Sequence, residues 1–150
     1  MRILVIHGPN LNMLGIREPK IYGSLRLSDV DDRIRAVAAD LGVDVECFQS
    51  NHEGAIVDLI QQRNATGLAG AIINPGGLTH TSVVLHDAIK GVDYPFVEVH
   101  ISNVHAREEF RRHSYVSPAA RGVIAGLGWR GYEAALRALV AMAREAAEAG

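Results

Sequence analysis

Residues 27–48 read LSDVDDRIRAVAADLGVDVECF, and the hydrophobic period changes once within them. Leu27, Val30, Ile34, Val37 and Leu41 recur at helical spacing, so they share one face of a helix. Ser28 and Asp29 stand near its start, and Gly42 supplies its stop. Val43, Val45 and Cys47 then alternate, which predicts a strand from Val43 to Phe48. A helix leading straight into a strand is half of a βαβ unit, and such units build parallel sheets.

The rest of the chain repeats this alternation. Arg2 to Ile6 is β-branched and apolar, a buried strand. Ser50 or Asn51 is placed to cap a helix running to about Asn64, with Ile56, Leu59 and Ile60 inward. Leu68 to Ile73 is the third strand, followed by a helix from Thr79 to Lys90 that Gly91 stops. Pro95 to Ile101 and Gly122 to Ala125 are strands four and five, and an alanine-rich helix covers Trp129 to Glu148. Five strands with right-handed helical crossovers predict a flavodoxin-like three-layer αβα sandwich around a parallel sheet, one domain over residues 1–150. All strand exits then share one edge of the sheet. They deliver His7–Asn10, Gln49–His52, Asn74–Gly77, His100–Asn103 and Gly126.

Composition narrows the function classes. The net charge of −2 includes no basic excess that would point to nucleic acid. No uninterrupted apolar run reaches about 18 residues, the length that would suggest a transmembrane helix. Neither end reads as a signal or transit peptide. The single cysteine, Cys47, excludes an internal disulfide and fits a reducing compartment, and a cytoplasmic location is expected. Its place in the alternation predicts a core residue rather than a reactive thiol. The cations are 13 Arg against Lys20 and Lys90.

The chemistry is concentrated after strand four. Residues 98–113, EVHISNVHAREEFRRH, include three Glu, three His and three Arg. Side chains past the carboxyl ends of strands line the ligand crevice of open α/β sheets. Glu98 and His100 are two apart on a strand, so they share a face and Glu98 can orient the imidazole. Ser102 continues that face. Arg107 and Arg111, four apart, can share one helical face and bind an anion, or form a basic solvated helix. The spacings of His100, His105 and His113 fit no familiar zinc pattern, and the arginines would repel a cation, so no metal is expected.

Two loops add candidates. Residues 8–23, GPNLNMLGIREPKIYG, are long for a strand–helix connection, which suggests a binding loop or a lid over about 13–23. Arg17 and Tyr22 lie on it, and a guanidinium beside a phenol favours the phenolate, a usable base. The alternative is a surface loop with a half-buried tyrosine. It lacks the Gly-Lys-Ser/Thr ending of a phosphate loop and the glycine spacing of a dinucleotide fingerprint. Asn74 to Ser82 carries glycines that admit close backbone approach, with Asn74 and His80 as hydrogen-bonding groups. Thr79, Thr81 or Ser82 can cap the following helix; a plain glycine turn fits the same residues. Asp87, near that helix's far end, reads locally as a solvated charge.

GPNLNMLGIREPKIYG, INPGGLTHTS and EVHISNVHAREEFRRHSYVSP, in this order, resemble the type II 3-dehydroquinate dehydratases over nearly the whole chain. The resemblance implies reversible dehydration of 3-dehydroquinate to 3-dehydroshikimate in the shikimate pathway, without metal, cofactor or Schiff-base lysine. It implies a homododecamer, a tetramer of trimers. By position, Tyr22 matches the family's base, Arg17 the lid arginine that supports it, and Asn10 the asparagine associated with the enolate. His100 matches the acid, with Glu98 as its orienter. Asn74, His80, Arg111 and the backbone of Ile101 and Ser102 match substrate-binding positions, and Arg107 matches an arginine near the lid. Asp87 matches an aspartate that reaches a neighbouring subunit's site, which reverses its local reading. His7, Pro75 and His86 depart from the pattern, where asparagine, alanine and arginine are common. The alternative function is a noncatalytic flavin- or phosphate-binding module. A receiver-type signalling domain lacks support, because the paired acidic residues after strand one and the lysine after the last strand are absent.

Overall fold

The computed structural model describes residues 1–16, 20 and 24–150. Five strands form one sheet: β1 Arg2–His7, β2 Asp44–Gln49, β3 Gly70–Asn74, β4 Phe96–His100 and β5 Gly122–Ala125. Their order is β2-β1-β3-β4-β5, with every neighbouring pair parallel. This is the flavodoxin-like order, and the connection direction reverses between β1 and β3. At that switch point crossovers leave toward opposite sides, which opens a crevice beyond the carboxyl ends of the two strands. The register sets His7 beside both Gln49 and Asn74 at this edge.

Among the described residues, four helices cover the sheet: α1 Leu27–Leu41, α2 Glu53–Gln62, α3 Val83–Lys90 and α4 Arg130–Ala149. Strand alternation divides the core in two. Ile3, Val5, Ile72, Val97 and Val99 pack with Val30 and Ile34 of α1 and with Leu136 and Leu139 of α4. Leu4, Ile6, Ala71, Ile73 and Phe96 pack on the other face with Ile56 and Ile60 of α2 and Leu85 and Ile89 of α3. Each fully buried aliphatic side chain of this kind contributes about 1.5–3 kcal/mol of transfer free energy.

Helix α1 has the predicted bounds. The Asp29 carboxylate accepts from the Arg26 backbone N–H at 3.0 Å, and Gly42 ends the helix at φ 70°. Other ends differ from the expectation for local reasons. Ser50 does not cap α2; its hydroxyl accepts instead from the His52 N–H, and the helix begins at Glu53. Helix α3 begins at Val83 rather than Thr79, because Gly76–His80 forms a separate 3₁₀ turn. The Thr79 hydroxyl donates to Gly76 O at 2.7 Å within that turn, and Ser82 then caps α3 by accepting from the Leu85 N–H at 2.9 Å. Arg107 and Arg111 do not share a helix. They belong to two 3₁₀ turns, Val104–Ala106 and Glu109–Arg112, with Arg107 extended between them. The Asn103 side chain accepts from the His105 N–H, closing the first turn against helix propagation.

Cys47 is half-buried on the edge strand β2 and packs against the core from outside. Burial pushes its thiol up to about 12, and the nearby Asp31 carboxylate adds to the shift. No described helix is long and apolar enough to cross a membrane.

Candidate active site

A cleft of about 170 Å³ lies at the switch point, where the loops after β1, β3 and β4 meet. Its walls include Asn10, Asn74, His80, His100, Ser102 and Arg111. Ile101 and Arg107 border it as well. Residues separated by up to a hundred positions therefore converge through strand order alone.

The first two loops are joined backbone to backbone. The Gly8 N–H donates to Asn74 O at 2.8 Å. A Cβ at Gly8 would stand 2.4 Å from Pro75 O, and one at Gly76 would stand 2.7 Å from Pro9 O. Only glycine permits this approach, and Gly76 is also left-handed at φ 59°. Asn10 is the one described non-glycine residue with positive φ, at 71°. Asparagine tolerates that region better than most residues, and such strain gathers at binding sites. The Asn51 side chain holds Asn10 in place by accepting from its N–H at 2.9 Å.

On the β4 side, His100 Nε2 donates to Glu98 Oε2 at 2.7 Å, and both residues are buried. An unpartnered buried carboxylate would be costly. The Ser114 hydroxyl donates to Glu98 Oε1 at 2.9 Å, and the Ser117 hydroxyl lies 3.0 Å from both carboxylate oxygens. Glu98 thus fixes the imidazole through Nε2 and leaves Nδ1 for the cleft. His80 Nδ1 lies 2.7 Å from the His113 carbonyl, which can only accept. Nδ1 therefore carries a hydrogen.

The cationic wall is shared. Arg111 Nε donates to Glu108 Oε2 at 2.5 Å, and Arg107 Nη1 reaches the Ser102 hydroxyl at 3.4 Å. The Arg111 hydrogen bond holds the Glu108 carboxyl below its ordinary range. Arg111 also lies 4.8 Å over the Phe110 ring, which restricts where its guanidinium points.

The site thus brings a buried histidine–carboxylate pair, two arginines and two asparagines together at a small cleft. The family model for class II dehydroquinases matches residues 1–140. The chain belongs to the class II dehydroquinase family. It is 56% identical over 143 residues to a 3-dehydroquinate dehydratase of Variovorax paradoxus, an alignment covering 93% of this chain and 98% of that protein. A catabolic 3-dehydroquinase of Verticillium alfalfae is 62% identical over 136 residues, covering 90% and 89%. Among solved structures, the type II dehydroquinase of Butyrivibrio crossotus superposes with a TM-score of 0.91 at 48% identity, covering 93% of this chain and 97% of that one.

Within this dehydroquinase fold, the expected residues that are described come together, except one. Asp87 is exposed on α3, beside a separate shallow hollow formed by Val57, Gln61, Val84 and Val92. Arg17 and Tyr22, with most of the expected lid over 13–23, lie outside the described residues. Among the described residues, no group of three or more His, Cys, Asp or Glu side chains is arranged to hold a metal ion. Sequence reasoning missed Ser114 and Ser117, the hydroxyls that hold Glu98. Their i, i+3 spacing was a usable signal of a local turn, since the Ser114 hydroxyl accepts from the Ser117 N–H at 2.9 Å. His113 enters the site through its backbone carbonyl, which no side-chain motif encodes. His105 touches the Asn103 side chain through its backbone N–H and contributes no side chain to the cleft walls.

Proposed function

We propose that this class II dehydroquinase removes water reversibly from 3-dehydroquinate through an enolate, giving 3-dehydroshikimate on the shikimate route to aromatic amino acids. The observation that carries the reading is the His100–Glu98 pair, buried at the wall of a small cleft that two arginines border. A proton beside a ketone is weakly acidic, so the reaction needs a base and a group that stabilises the enolate. Hydroxide is a poor leaving group, so it also needs an acid.

In this reading Tyr22 is the base and Arg17 supports its phenolate, both from their match to the family motif. Asn10 stabilises the enolate, an oxyanion-type role supported by its place on the cleft wall. His100 protonates the departing hydroxyl through Nδ1, while Glu98 holds Nε2. Asn74, His80, Arg107 and Arg111 bind the substrate carboxylate and hydroxyls, together with the backbone of Ile101 and Ser102. The chain forms one catalytic domain over 1–150, with residues 13–23 as its lid.

We also propose the homododecamer, a tetramer of trimers, with Asp87 completing a neighbour's site. Its support is an exposed Asp87 next to Val83 and Val84, apolar side chains each 53% exposed on α3. Contiguous exposed apolar residues mark contact surfaces. A cytoplasmic location fits this pathway. The flavin-binding alternative is disfavoured by the cleft volume of about 170 Å³, below the ~300 Å³ at which drug-sized pockets begin. The test is direct: 3-dehydroquinate added to the purified protein should produce the ultraviolet absorbance of a conjugated enone. No absorbance rise, with a yellow protein as isolated, would favour the flavin reading instead.

A further inference from the structure

Behind the cleft runs a line of side chains of which the proposed chemistry uses only Asn74. Asp31 Oδ1 on α1 lies 2.7 Å from His7 Nε2 at the end of β1. His7 Nδ1 lies 3.1 Å from the Tyr132 hydroxyl on α4, and that hydroxyl accepts from Asn74 Nδ2 at 3.1 Å. The line ends where Asn74 Oδ1 accepts from the Gly76 N–H at 3.2 Å. His7 and Tyr132 are fully buried, and Asn74 is the member that reaches the cleft.

The donors and acceptors have one consistent direction. The Gly76 N–H can only donate, so it requires the oxygen of the Asn74 amide on its side. The amide nitrogen then faces Tyr132, whose oxygen accepts from it. The phenolic hydrogen is left for His7 Nδ1, so the imidazole carries its hydrogen on Nε2 and gives it to Asp31. Burial holds the Tyr132 phenol above its ordinary range, so it remains a hydroxyl and keeps that hydrogen. A flipped Asn74 amide would set N–H against N–H at Gly76.

We propose that Tyr132 and His7, backed by Asp31, are positioning residues that hold the Asn74 amide in one orientation for substrate binding. The proposal rests on the reading of Asn74 as a substrate contact. Without the Tyr132 hydroxyl the Asn74 nitrogen loses its partner, and the amide is free to rotate away from its binding pose. The line also accounts for His7: an imidazole joins α1, β1 and α4 with its two nitrogens.

The test is a double-mutant cycle on steady-state dehydration, together with a crystal structure. Tyr132→Phe keeps the ring that fills the core and should raise KM up to about tenfold, the scale of losing one hydrogen bond, with kcat little changed. In an Asn74→Ala background the same change should have no further effect on KM. His7→Leu should reproduce the Tyr132→Phe defect. His7→Asn, whose oxygen can still accept from Tyr132, should restore a near-normal KM. The structure of Tyr132→Phe should show Asn74 in a second rotamer. An unchanged KM in Asn74→Ala would overturn Asn74 as a substrate contact and this inference with it. A raised KM in Asn74→Ala, beside unchanged KM and an unmoved Asn74 in both Tyr132→Phe and His7→Leu, would overturn the positioning role alone.

Discussion

His100 Nε2 and Glu98 Oε2 lie 2.7 Å apart inside the protein, two residues apart on one strand, with Ser114 and Ser117 closing the carboxylate's other positions. The carboxylate is fixed on three sides, so the imidazole it holds has one orientation. Glu98→Gln should keep the size of the side chain and lose its charge. We expect kcat to fall about 10–100-fold, by analogy with carboxylates that orient metal-bound histidines, with KM little changed. A kcat equal to that of the unsubstituted protein would remove Glu98 from the mechanism.

The proposed base and acid should each be indispensable. Tyr22→Phe and His100→Ala are each expected to lose roughly two or more orders of magnitude in kcat, the usual contribution of a positioned acid or base. Near-normal turnover in Tyr22→Phe would return the assignment of the base to the other groups of the cleft.

Two glycine substitutions should have opposite signs. Gly8→Ala drives a Cβ to 2.4 Å from Pro75 O, a backbone atom that cannot move without separating the two loops. We expect destabilisation of about 1–3 kcal/mol and reduced kcat/KM, because Asn10 and Asn74 sit on those loops. Gly54 lies in α2 with nothing near its Cβ position. Gly54→Ala should stabilise by about 0.5–1 kcal/mol through helix propensity. Urea titration of both variants checks the pair.

Cys47 should be inert in the native protein. Its thiol is pushed up to about 12 by burial, so at pH 8 only about one molecule in ten thousand carries the thiolate that reacts. The sign is that of a raised acid: reactivity increases as pH rises toward 12. Iodoacetamide at pH 8 should leave the native mass unchanged and add one label in denaturant. Labelling of the native protein at the rate of a free thiol would contradict this burial.

The proposed assembly predicts a dodecamer by size-exclusion chromatography with light scattering, and Asp87→Ala should lower kcat/KM while the assembly persists. A stable, fully active monomer would undo the role given to Asp87.

The fold was legible wherever a single period ran unbroken. Helix α1 has the bounds read from periodicity, because its apolar spacing and its buried face coincide; strand β5 also has the expected bounds. Periodicity failed at Thr79 and at Arg107. At both places, short polar side chains bond to nearby backbone and divide the chain into 3₁₀ turns. The Glu98–His100 pair was legible because alternation on a strand fixes which side chains share a face. Ser114 and Ser117 were not, since a returning loop of irregular backbone brings them to Glu98.

By itself, then, the sequence determined the alternation of helix and strand, the edge at which polar loops emerge, and the pairing of neighbours within one strand. These depend on local period, which the chain carries in every short window. The tertiary structure alone decided that Gly8 touches Asn74 and that the line from Asp31 through His7 and Tyr132 reaches the cleft. Such side-chain contacts join residues far apart in the chain, and no local period encodes which of them meet.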